Sequence, residues 1–174
     1  MNHAAAGLPG LSRDTGMTVL LSIWADQGAT VVRWERGASP TVTSMGLGTT
    51  LPLLNSSTGR AFLAWAPRAP LQRILDSELR RVARNPALIP GFTANRAGID
   101  ELTTAIRKQG FSSVDGKFIP GLVAAAAPIL DWQHQAQAVI TVVGVDPAAI
   151  AVNSTETNAL KAFCESHSVR RDVA

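Results

Sequence analysis

The chain has 174 residues, 46% of them hydrophobic, with a net charge of +3, which suits one compact domain over 1–174 with a substantial core. The lone Cys164 rules out an internal disulfide and a cysteine metal cluster. No apolar run reaches the roughly 18–20 residues that span a bilayer, and Met1-Asn2-His3-Ala4 opens no basic-then-apolar leader, so a cytoplasmic protein without membrane contact is expected.

Residues 3–14 read as a frayed helix start, broken by Gly7, Pro9 and Gly10. Thr18–Trp24 and Thr30–Glu35 are rich in β-formers and flank Asp26-Gln27-Gly28, so 17–36 reads as a hairpin. A short strand fits Thr41–Ser44, and Pro52 interrupts the next stretch. Ser56-Ser57-Thr58 then opens an amphipathic helix that Pro67 closes, and a second helix fits about 69–82. The arginines Arg73, Arg80, Arg81 and Arg84 have no interleaved aromatics and read as a solvated helix face rather than a DNA footprint.

Pro86, Pro90 and Gly91 make 83–94 a surface loop. Asn95 caps the next helix, whose buried stripe is Ile99, Leu102, Thr103 and Ile106, and Gly110 ends it. Phe111–Val114 resumes strand, with a turn at Asp115-Gly116-Lys117. Two long β runs follow at 121–131 and 136–145; the first is apolar on nearly every residue, as a strand buried on both faces would be. Asn153-Ser154-Thr155-Glu156 reads as a capping box with Asn153 as the cap, opening a last helix through Leu160, Phe163 and Cys164. The order α-β-β-β-α-α-α-β-β-β-α predicts an α+β domain on a mostly antiparallel sheet.

Catalytic chemistry is hard to assemble. The sequence lacks GxSxG, HExxH and GxxxxGK[ST] patterns, and His3, His134 and His167 are scattered. Cys164 falls on an apolar stripe and reads as a small core residue. Neither a catalytic residue, a metal nor a cofactor is expected, and the chain is read as a non-enzyme. Ser56-Ser57-Thr58-Gly59 has two readings. Its free backbone N–H groups and helix dipole suit a carboxylate or phosphate, or Ser56 or Ser57 merely caps the helix.

A resemblance bears on that choice. Leu51-Pro52-Leu53-Leu54-Asn55-Ser56-Ser57-Thr58-Gly59-Arg60-Ala61-Phe62-Leu63-Ala64 resembles a segment of the IclR (isocitrate lyase regulator) family. So do Ile106–Phe111, Pro120–Ile129 and the stretch up to Val143-Gly144, in the family's order and spacing. The resemblance runs from about residue 10 to 170 and implies a C-terminal effector-binding domain with a GAF-like fold, a six-stranded antiparallel sheet flanked by helices. It also implies a parent protein that binds DNA through an N-terminal winged helix-turn-helix, which this sequence is expected to lack.

On the same footing, a small-molecule pocket is expected on one side of the sheet. Ser57, Thr58 and Gly59 would lie at its helix start, Leu51 and Thr43 in its wall, Ala124, Thr141 and Val143 on the two long strands, and Val114 or Asp115 beside them. Strand alternation puts Thr141 and Val143 on one face. Leu54 stands where the family has a histidine and Val143 where it has a second strand hydroxyl. These departures imply a carboxylate effector with an apolar or aromatic body. Self-association as a dimer or tetramer is expected too, with Trp24 and Trp132 read either as contributors to it or as core residues. The competing readings are a small enzyme acting on an organic acid and a purely structural dimerisation module.

Overall fold

The computed structural model describes residues 2–38 and 46–170, and its centre is set by three strands whose side chains are apolar on both faces. These are β1 (Thr18–Ala25), β5 (Val123–Leu130) and β6 (Ala136–Gly144). With β2 (Gly28–Glu35), β3 (Thr50–Leu51) and β4 (Ser112–Asp115) they form one antiparallel sheet in the order β3-β2-β1-β6-β5-β4. β1 and β6, far apart in sequence, are neighbours at its middle, with Leu20 opposite Thr141.

Alternation divides the core in two. Val19, Leu21, Ile140 and Val142 point to one face, covered by α1 (Asn2–Thr15) and α5 (Thr155–His167). Leu20, Val139 and Val143 point to the other, where Phe62 and Leu63 of α2 (Ser57–Trp65), Leu71 and Leu75 of α3 (Arg68–Arg84) and Ile99 of α4 (Arg96–Gln109) complete the cluster. The α+β class holds, and the helices and the other strands follow the predicted order; β3 at Thr50–Leu51 was not predicted, and two short 3₁₀ turns are added at Pro86–Leu88 and Pro147–Ile150. Among the described residues no helix is long and apolar enough to cross a membrane.

Three expectations need correction. The first helix is not frayed: α1 runs unbroken through Gly7, Pro9 and Gly10. Ala4, Leu8 and Leu11 form a stripe buried beside α5, and burying two leucines, at about 1.5–3 kcal/mol each, offsets glycine and proline penalties of similar total size. The segment 83–94 is not all surface loop, because α3 extends to Arg84 and Ile89 is buried in the core. The cap of α5 is Ser154, whose Oγ accepts from the Thr157 N–H at 3.0 Å. Asn153 instead takes the left-handed conformation just before it, with φ 63°, so Glu156 is one position too early for a capping box. Of the two readings of Trp24 the core one fits its packing: it is half-buried and lies edge-on against Phe62 with ring centroids 5.7 Å apart.

Other boundaries agree closely. The Asn95 side chain accepts from the Gly98 N–H, and Gly110 ends α4 at φ 87°. Arg73, Arg80, Arg81 and Arg84 are all exposed. The strand expected at Thr41–Ser44 lies outside the described residues.

Candidate functional site

The start of α2 is held by a set of local bonds that begin where β3 stops. Pro52 has no N–H to continue the ladder, and the chain turns inward at Leu53 and Leu54. Their backbone N–H groups donate to the two carboxylate oxygens of Glu78 on α3, at 2.9 and 3.0 Å. Ser56 is the N-cap: its Oγ accepts from the Gly59 N–H at 2.9 Å and donates to the Pro52 carbonyl at 2.6 Å. Gly59 permits this fold-back, because a Cβ there would sit 2.0 Å from the Pro52 oxygen and 2.5 Å from the Leu53 Cα.

That anchoring lays the first turn of α2 against the sheet. The Ser57 carbonyl accepts from the Ser112 hydroxyl on β4. Thr58 Oγ1 lies 2.6 Å from Thr141 Oγ1 on β6, both side chains being buried. Beside this pair is a crevice floored by Leu20, Val114, Ala124, Thr141 and Val143. Leu51 and Ser56–Thr58 form one wall, and Phe118, Ile119 and Leu122 form the other. Its volume is about 30 Å³, room for roughly one or two waters.

The structure thus gathers seven of the sequence-selected residues around one crevice: Leu51, Ser57, Thr58, Val114, Ala124, Thr141 and Val143. It does not bring Gly59 or Asp115 there. Gly59 packs against the Pro52 backbone, and Asp115, one step past the inward-facing Val114, is exposed. Thr43 lies outside the described residues. Leu20, Phe118, Ile119 and Leu122 were not singled out from sequence. The apolar pair Phe118-Ile119 beside the Gly116 turn was the available signal for a loop that borders the crevice.

The lining is apolar apart from hydroxyls, and none of its described residues carries a titratable side chain. His134 is exposed in a hairpin turn, and His167 stacks on Phe163 with centroids 4.3 Å apart. Cys164 is buried in the cluster on the opposite face of the sheet, where burial pushes its thiol far above the usual range. No group of three or more His, Cys, Asp or Glu able to hold a metal occurs among the described residues. What the crevice offers is a set of O–H donors, the unpaired first-turn N–H groups of a helix and apolar walls, which is chemistry for holding a ligand.

Comparison with known proteins bears on the family and the fold. Residues 1–164 match the family model described as bacterial transcriptional regulator IclR C-terminal. The chain is 30% identical over 132 residues to RhmR of Escherichia coli K12, an uncharacterised HTH-type transcriptional regulator. The match takes in 75% of this chain and 48% of that protein, so the chain spans about half the length of this curated relative. HmgR of Pseudomonas aeruginosa superposes with a TM-score of 0.81 at 30% identity, over 96% of this chain and 64% of that one. The C-terminal domain of a Vibrio cholerae regulator described as putative superposes with a TM-score of 0.77, over 95% and 94% of the two chains. At 17% identity it shows the fold alone.

Proposed function

This chain belongs to the C-terminal family of bacterial IclR transcriptional regulators, and on that premise we propose that it is a ligand-sensing module. It binds a small organic effector, a carboxylate with an apolar or aromatic body, in the crevice between α2 and the sheet. The observation that carries the reading is the Thr58–Thr141 hydroxyl pair at 2.6 Å in an otherwise largely apolar lining. The positive end of α2 favours the carboxylate, and the apolar floor of Leu20, Ala124 and Val143 receives the body.

Effector binding shifts an oligomer between arrangements, and the parent protein's DNA affinity follows through a coupling between distinct sites. DNA contact belongs to an N-terminal domain outside this chain. Self-association is favoured by Trp132, which is 69% exposed at the β5–β6 turn. Turnover of a bound acid is disfavoured because the described lining supplies no general acid or base.

A thermal-shift screen against small carboxylates, aliphatic and aromatic, tests the reading. One chemical class should raise the melting temperature saturably, and Thr141→Val should abolish the rise. A response confined to uncharged hydrophobic compounds would overturn the carboxylate assignment, and no response to any compound would favour a structural module.

A further inference from the structure

On the other side of α2, two residues past Thr58, the side chain of Arg60 is almost wholly enclosed, with 8% of its surface exposed. A guanidinium presents five N–H donors and needs acceptors when taken out of water. Nε donates to the Leu54 carbonyl at 2.8 Å. Among the described residues the two Nη groups have no protein acceptor and face the water of the adjoining cavity, and no carboxylate lies within ion-pair distance. Burial acts on this cation without an opposing charge and lowers its proton affinity below the ordinary arginine value.

Arg60 lines a cavity of about 310 Å³ between α2, α4 and the turn at Ile89–Thr93. The wall on the α4 side is tight by construction. A Cβ at Gly98 would fall 1.8 Å from the Thr93 carbonyl oxygen, so glycine lets that turn fold onto the first turn of α4. Lys117 adds a second cation to the lining, its backbone held in place by the Asn55 amide, which donates to the Lys117 carbonyl at 2.8 Å. The one carboxylate in the described lining, Glu101, is exposed and makes no ion pair with Arg60. The described lining therefore carries two cations and one carboxylate, and none of the three is held in an ion pair.

We propose that this cavity is a second binding site, distinct from the crevice at Thr58 and Thr141, and that it takes a small oxyanion, a carboxylate or a phosphate, on Arg60 and Lys117. The anion takes the place of water as the acceptor at the Arg60 Nη groups, in the planar fork geometry that guanidinium favours. Lys117 contributes a point charge at the mouth.

The test is a titration of the ¹⁵N-labelled chain with inorganic phosphate and, separately, acetate, at constant ionic strength balanced with chloride. The expected result is a saturable shift of the Arg60 Nε–H signal and of the Thr93 and Gly98 amides by at least one anion. Which anion saturates tells a phosphate site from a carboxylate site. Arg60→Gln should weaken that binding at least ten-fold and Lys117→Gln several-fold, while Thr141→Val leaves it unchanged. If Arg60→Gln fails to fold, Lys117→Gln and Arg60→Lys decide, the lysine variant losing affinity because it lacks the fork. Linear, unsaturated shifts with both anions, or equal affinities in wild type and Lys117→Gln, would overturn the proposal. Because Thr141→Val removes the first site and spares this one, failure of either assignment leaves the other standing.

Discussion

The hydroxyls of Thr58 and Thr141, 83 residues apart in the chain, meet at 2.6 Å where the first turn of α2 faces strand β6. Two hydroxyls that share one hydrogen bond hold two protons between them, so one O–H remains to be directed at something else. Among the described residues neither Oγ1 has another side-chain or backbone partner. The pair is satisfied enough to be stable without a ligand and keeps a donor for a ligand oxygen.

Thr141→Val is therefore expected to destabilise the protein by about 1–3 kcal/mol, because it strands the Thr58 hydroxyl in a buried site. The double variant Thr58→Val with Thr141→Val should recover part of that loss, since removing both partners leaves nothing unpaired. Urea denaturation of wild type, Thr58→Val, Thr141→Val and the double variant measures the coupling. Strictly additive losses would mean that the two hydroxyls are not energetically paired.

Glu78 governs the same site from a distance. Its carboxylate receives the N–H groups of Leu53 and Leu54, whose side chains are 0% and 1% exposed. Glu78→Ala leaves two backbone donors without acceptors and should cost about 2–4 kcal/mol, while Glu78→Gln, which keeps one carbonyl oxygen, should cost less. Hydrogen exchange at the Leu53 and Leu54 amides should accelerate in both variants. Unchanged protection at those amides would show that the carboxylate does not hold the loop.

The elements flanking this site were legible because their signals are local. The all-apolar run through Ala124–Ala127 announced a strand buried on both faces, and Thr141 and Val143 share a face by alternation alone. That Phe118 and Ile119 border the crevice depends on where the loop after β4 comes to lie, which no local periodicity encodes. The burial of Arg60 was equally hidden: on sequence it is one more basic residue in an amphipathic helix, and only the 89–93 turn and α4 enclose it. The unbroken α1 was missed for a related reason, since propensity against Gly7, Pro9 and Gly10 is outweighed by packing on an element more than 140 residues away.

Glycines in the two helices should respond in opposite directions. At Gly59 a methyl group would meet backbone atoms of Pro52 and Leu53 at 2.0 and 2.5 Å, and no rotamer change can relieve that. Gly59→Ala should cost about 3 kcal/mol. At Gly10, inside α1, the nearest atom to an added Cβ is the tip of Arg13 at 3.9 Å. Gly10→Ala should stabilise by about 0.5–1 kcal/mol, a rise of a few degrees in melting temperature. Thermal denaturation of both variants checks the pair, and a neutral Gly59→Ala would contradict the close approach of α2 to the loop.

Cys164 makes stability depend on pH in the alkaline range. In the unfolded chain its thiol ionises near about 8.5. In the fold, burial first and the adjacent Glu165 charge second hold it neutral to far higher pH. The folded value is raised, so the stabilisation is fully present below the unfolded value. Above it the unfolded chain sheds a proton that the folded chain keeps, and stability falls by about 1.4 kcal/mol per pH unit. Cys164→Ala removes that linkage at the cost of a small, pH-independent cavity penalty. Urea denaturation from about pH 7.5 to pH 10 should show the wild-type and Cys164→Ala stabilities running parallel below the thiol's ordinary value and converging above it. Curves that stay parallel throughout would mean that the thiol ionises as readily in the folded protein as outside it.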